Sequence, residues 1–132
     1  FQWTRDAGIQ VIANYMLGLP GESRDDLQQT LDLAQELDVL DFGYFVFYPY
    51  PGTQLFHECV AKGYLPEDYL ERPANHRETI LDLPGLTRKD ISEYYDKFTE
   101  LRQKRYRRIG IELPDEVRDS ATDHVFDLAS TG

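Results

Sequence analysis

Ile9-Gln10-Val11-Ile12-Ala13-Asn14-Tyr15-Met16-Leu17 runs directly into Gly18-Leu19-Pro20-Gly21-Glu22-Ser23. The first nine residues are rich in apolar and β-branched side chains and stop at a glycine and proline turn, the pattern of a buried strand. Ser23 stands three residues ahead of Asp26, the spacing of a capping box, and Leu27, Leu31, Ala34 and Leu37 follow at helical intervals. A helix over about 24–37 is therefore expected. Phe42-Gly43-Tyr44-Phe45-Val46-Phe47-Tyr48 comes next, too continuously apolar for a half-exposed strand, so a second strand covered on both faces is predicted. Strand, helix and strand with short connections make a βαβ crossover of parallel strands, a right-handed unit almost without exception.

Further along, Thr53 is placed to cap a short helix carrying Leu55, Phe56, Cys59 and Val60, with Gly63 behind it. The strand and helix pair thus occurs twice, and residues 1–66 read as two βα units. Residues 67–86 carry Pro73, Pro84 and scattered charges without a period, which predicts an irregular connection crossing the surface. Thr87 and Asp90 form a second capping box, and Ile91, Tyr94, Tyr95, Phe98, Leu101, Arg105 and Ile109 make a stripe that predicts one long helix over 87–110. Residues 111–132 are acidic, contain Pro114, and read as a flexible tail. Two parallel strands leave edges and faces uncovered, so this sheet needs other strands, from the rest of a barrel or from a second copy in a homo-oligomer.

Composition narrows the function classes. At 132 residues with 41% hydrophobic content the chain supports one modest core. A net charge of −10 disfavours nucleic acid. The one basic run, Arg102, Lys104, Arg105, Arg107 and Arg108, sits at a helix end and reads as a solvated last turn. No apolar stretch is long enough for a bilayer and no leader precedes the first strand, so a cytoplasmic location is expected. Cys59 is the single cysteine, which excludes an internal disulfide or a cysteine-built metal site within the chain. His57, His76 and His124 are far apart and show no ligand spacing.

Ligands of parallel α/β sheets bind in the loops after the strands. Gly18-Leu19-Pro20-Gly21-Glu22-Ser23 is such a loop; it is either a ligand-approaching turn at a helix N-terminus or simply a tight turn with a cap. Tyr48-Pro49-Tyr50-Pro51-Gly52-Thr53 is the other, and its tyrosines either wall a flat ligand or cover the sheet end. No Lys-Ser/Thr pair follows the first loop, so it is not a P-loop.

The stretch Gly8 to Ser23, GIQVIANYMLGLPGES, followed by FYPYPGTQLF, KGYL and LPGLTRKDISEYYDKF, resembles the fifth and sixth βα units and the post-barrel helix of radical S-adenosylmethionine enzymes. Within that family it is most similar to the group that often carries an N-terminal cobalamin-binding domain, which includes magnesium-protoporphyrin ester cyclase-like proteins. The resemblance implies an α/β fold: the last two βα units of a partial TIM-type barrel, then a long helix and the acidic tail. It implies a 4Fe-4S cluster that reductively cleaves S-adenosylmethionine, with cobalamin possible in the full-length enzyme. The cluster-binding CxxxCxxC loop is absent here, so the chain alone is expected to hold no cofactor and to be inactive, with no catalytic residue of its own.

What the resemblance assigns to this chain is cofactor seating. Met16, two before Gly18, would pack on the adenine, and Asn14, four before it, would face the ribose or methionyl end. Many relatives have aspartate at that position, and asparagine keeps the acceptor but loses the charge. Gly18, Pro20 and Gly21 would shape the cofactor loop, with Glu22 either touching the cofactor or bracing the loop. Tyr48 and Tyr50 would lie on the side of a small-molecule substrate. The competing expectation is a non-catalytic α/β interaction module that binds a partner, or itself, through exposed sheet edges.

Overall fold

Strand β1 (Ile12–Leu17) and strand β2 (Asp41–Val46) run parallel, with Ile12 opposite Asp41, Asn14 opposite Gly43 and Met16 opposite Phe45. They form a two-stranded sheet in the computed structural model, which describes residues 1–37 and 39–111. Around it stand α1 (Gln2–Asp6), α2 (Arg24–Glu36), α3 (Gln54–Ala61) and α4 (Arg88–Arg108), with one 3-10 turn at Tyr69–Glu71. The expected tail beyond residue 111 lies outside the described residues.

The first strand begins three residues later than the sequence suggests. Gly8, at φ 76°, turns the chain out of α1, and Ile9 N donates to the Thr4 carbonyl, so the chain extends only from Ile12. Both capping boxes form in full. Ser23 and Asp26 exchange side-chain and backbone bonds at the start of α2, and Thr87 and Asp90 do the same at α4. Each such cap satisfies N–H groups that a helix start leaves orphaned and contributes about 1 kcal/mol.

Strand alternation divides the sheet into two faces. Ala13, Tyr15 and Leu17 with Phe42, Tyr44 and Val46 point into a core closed by Leu27, Leu31 and Ala34 of α2 and Ile91, Tyr94 and Phe98 of α4. Aromatic edges interlock there: Tyr15 meets Phe42 at 5.8 Å, and Tyr44 stacks on Phe98 at 5.7 Å. On the opposite face Asn14 and Met16 of β1 are exposed, whereas β2 is buried along nearly its whole length, as expected of a strand covered on both faces. The Asn14 amide and the Phe45 ring lie over Gly43 there.

Residues 67–86 are irregular and mostly exposed up to Glu78, but their end also contributes to a second core. Ile80 and Leu81 are buried with Phe47 and Cys59, and Leu19, Leu55, Tyr64 and Leu65 pack around them. The apolar side of α3 needs a cover, and this irregular segment provides it. It also bonds to the far edge of β2, where Val46 N donates to the His76 carbonyl at 2.7 Å.

The basic end of α4 is a solvated turn only in part: Lys104, Arg107 and Arg108 are exposed, but Arg102 and Arg105 are engaged inside the fold. Arg102 is 6% exposed and pairs with Asp41, which is 1% exposed, at 2.9 Å. Arg105 reaches back to the Leu37 carbonyl at 2.8 Å and the Ala34 carbonyl at 3.3 Å, with its guanidinium 5.2 Å over the Phe42 ring. Helix α2 has no basic residue in its own last turn, and Arg105 supplies the missing donor. The buried stripe of α4 accordingly runs through Arg102 and Tyr106, while Ile109 is left 50% exposed.

Candidate functional site

Both loops after the strands have the same construction. Glu22 N donates to Leu19 O at 3.0 Å and Thr53 N to Tyr50 O at 3.2 Å, each across a Pro-Gly pair whose glycine has φ near +90° (Gly21 at 89°, Gly52 at 88°). This is the geometry of a type II turn, in which proline presets one dihedral angle and glycine supplies the positive one. A capping hydroxyl follows in both cases, Ser23 on Asp26 N and Thr53 on Phe56 N.

Glu22 closes the first loop from within. Its Oε2 accepts from Gly18 N at 2.6 Å and from Leu19 N at 3.1 Å. Burial pushes this carboxyl above the usual carboxylate range, against the pull of the two N–H donors. Gly18 has φ 80°, and a Cβ there would come within 2.9 Å of Ile91 Cδ1, so its missing side chain admits helix α4 against the loop. Pro20 is half-buried and Gly21 exposed at the turn.

Asn14 and Met16 share the open face. Met16 is 48% exposed beside Phe45. A Cβ at Gly43 would stand 2.6 Å from Asn14 Oδ1 and 2.9 Å from Phe45 Cε2, so the absent side chain lets the amide and the aromatic ring close over the strand backbone. Composition and spacing did not single out Gly43 as a site residue. Its signal is a glycine inside a strand, which marks a close approach of another group.

At the end of β2, Tyr48 and Tyr50 meet edge to face at 5.0 Å. Between them and Phe45 the structure brings a residue that spacing ranked low. His76 lies 6.4 Å from the Phe45 ring, 6.3 Å from Tyr48 and 6.0 Å from Tyr50, and its Nε2 is 2.9 Å from the Tyr50 hydroxyl. No sequence period marks His76, since it sits in an irregular segment positioned by one backbone bond to Val46.

An iron–sulfur cluster does not fit within the described residues. Cys59 is buried on the inner side of α3, and no group of three His, Cys, Asp or Glu residues gathers among the described residues to hold a metal. No helix of the described residues is long and apolar enough to cross a membrane.

No model of a known protein family matches the chain. Over 105 residues, 74% of its length, it is 30% identical to cytidylyl-2-hydroxyethylphosphonate methyltransferase of Streptomyces wedmorensis, of which it covers 20%. Over 59 residues, 44% of the chain, it is 32% identical to an uncharacterized methyltransferase of Pyrococcus horikoshii, covering 13% of that protein. Over 46 residues, 34% of the chain, it is 41% identical to the tRNA-2-methylthio-N(6)-dimethylallyladenosine synthase of Buchnera aphidicola, covering 10%. The chain therefore spans a fifth or less of each of these relatives. All three are enzymes by name, and these partial similarities fit a loose kinship with radical S-adenosylmethionine enzymes, without a substrate or a reaction.

Proposed function

We propose that this chain is the C-terminal part of a radical S-adenosylmethionine barrel and that its open sheet face helps to seat the cofactor. The observation that carries this reading is the division of the sheet: helices pack against one face, while Asn14 and Met16 stand together on the other, with the Asn14 amide over Gly43. Barrel strands are arranged in this way, with helices outside and ligand-facing residues toward the interior and the strand ends.

In this reading Met16 lies against the adenine, Asn14 hydrogen-bonds the ribose or methionyl end, and Gly18, Pro20 and Gly21 border the pocket. Glu22 acts by bracing the loop through Gly18 and Leu19. When bound on a 4Fe-4S cluster held by chain outside these residues, S-adenosylmethionine supplies radical chemistry. Tyr48 and Tyr50 face the substrate, a small molecule with a flat or extended portion. Two relatives are methyltransferases by name, which favours group transfer, and a cobalamin domain elsewhere in the protein would suit it.

The test is S-adenosylmethionine binding by the longer protein after anaerobic cluster reconstitution. Asn14→Leu and Gly43→Val should each weaken binding, because one removes the polar contact and the other displaces the Asn14 amide that lies over Gly43. Unchanged binding in both variants would overturn the site assignment.

The unpaired edge of β1 favours a second reading, an interaction module that recruits a strand from a partner or a second copy. Light scattering of the chain separates the two. A stable dimer supports the module, and a monomer argues against self-pairing through that edge.

A further inference from the structure

Both halves of His76 are attached to one residue of β2. Its carbonyl accepts from Val46 N at 2.7 Å, and its ring Nδ1 lies 3.3 Å from the Val46 carbonyl oxygen. A carbonyl can only accept, so Nδ1 is the nitrogen that carries the hydrogen. In the neutral ring Nε2 is then an acceptor, and the Tyr50 hydroxyl, 2.9 Å away, donates to it. That bond uses the phenol's only proton. The remaining lone pairs of the Tyr50 oxygen are left to accept, on a side chain 49% exposed at the strand end. Phe45 and Tyr48 meet the imidazole nearly edge-on, at 88° and 72°, and fix its plane.

This arrangement can move one proton two places. A hydroxyl or protonated amine that donates to the Tyr50 oxygen passes its proton there while the phenol's proton crosses to His76 Nε2. The donor group ends one proton poorer, Tyr50 is neutral again, and His76 is an imidazolium whose two N–H groups point at Val46 O and Tyr50. No further reactant is required. Among the described residues, Tyr48 and Tyr50 from the loop after β2 are the titratable groups that meet the ring, and Arg77 and Glu78 follow His76 in the chain with opposite charges.

We propose that Tyr50 and His76 form a proton-accepting pair for a substrate that presents a hydroxyl or protonated amine beside a flat or apolar portion laid on Tyr48 and Phe45. Tyr50 touches the substrate, and His76 is a positioning residue that acts through it. The inference deepens the barrel reading above and rests on it.

Two measurements test it. The first needs no cofactor: nitrogen NMR of the 132-residue chain labelled in histidine. His76 should be the Nδ1–H tautomer when neutral, and Tyr50→Phe should shift its Nε2 resonance while sparing Nδ1. An Nε2–H tautomer would overturn the proposal, since that nitrogen could not take the phenol's proton. The second uses the cluster-loaded longer protein with S-adenosylmethionine. Tyr50→Phe and His76→Phe should each lower turnover on the order of 10²-fold with S-adenosylmethionine affinity unchanged. The acid limb of the wild-type rate profile should vanish in His76→Phe. Unchanged turnover in both variants overturns the pair alone. Failure of the wild-type longer protein to bind S-adenosylmethionine overturns the functional reading and the substrate role with it, leaving the tautomer to be judged on the first measurement.

Discussion

Asp41 at the foot of β2 holds Arg102 of α4 by both carboxylate oxygens, Oδ1 to Nε at 3.1 Å and Oδ2 to Nη2 at 2.9 Å, across 61 residues of sequence. The Tyr106 hydroxyl donates to the same Oδ2, and Phe42 N donates to Oδ1 at 2.8 Å. A buried pair of this kind adds modest net stability but is costly to break, because removing one partner strands the other charge. Arg102→Ala should lower the unfolding free energy by about 3–5 kcal/mol, measured in urea. Arg102→Lys should recover little, since an ammonium cannot match the two-oxygen fork. A loss below about 1 kcal/mol for Arg102→Ala would place the pair with ordinary surface bridges.

Alkaline pH should unfold the chain through its tyrosines. Tyr95 is pushed up from 10.0 to about 12, first by burial and then by the neighbouring Tyr44. Burial moves Tyr15 and Tyr44 in the same direction. With the folded pKa above the unfolded one, this stability is whole below pH 10 and is lost as the pH rises through about 12. Circular dichroism against pH, alongside phenolate absorbance, checks the sign. Tyr15 also permits a stabilising change. Its hydroxyl is buried without a hydrogen-bond partner among the described residues, so Tyr15→Phe should raise stability by about 1 kcal/mol.

Glu22 separates bracing from charge. Glu22→Ala strands the Gly18 and Leu19 N–H groups and should cost about 1–3 kcal/mol. Glu22→Gln retains an acceptor and removes a charge that burial disfavours, so its effect should be much smaller. Thermal melts of both variants decide this. Equal losses would mean that the charge itself is required.

Gly18 is constrained twice, by a φ of 80° and by Ile91. Gly18→Ala should destabilise by about 1–3 kcal/mol from backbone strain, with the clash added. Combining it with Ile91→Val should recover only the clash. A double-mutant cycle gives that coupling directly, and strict additivity would show that the two residues do not meet.

The parts of the fold legible in sequence were those fixed by neighbours. Ser23 with Asp26 and Thr87 with Asp90 announce their helices because a capping box is complete within four residues. The parallel pairing of β1 and β2 follows from a helix lying between two apolar runs. Arg102 was misread because its partner, Asp41, is brought to it only by packing. Within the irregular 67–86 connection, the buried Thr79, Ile80, Leu81 and Leu86 were not legible because they follow no period. At the site, the two Pro-Gly loops and the shared face of Asn14 and Met16 were readable from turn chemistry and alternation. Gly43 and His76 were not, since one matters through a missing atom and the other through a single long-range backbone bond.

Helix α4 meets the mouth loop through Ile91 and the foot of the sheet through Arg102, about 16 Å apart at 1.5 Å per residue. It behaves as a strut, wedged under the Gly18 turn at one end and bolted to Asp41 at the other. A turn propped from behind cannot swing over a ligand as a lid does. Its shape is set at folding, and whatever docks there meets a rigid rim whose ordering does not have to be repeated at each encounter.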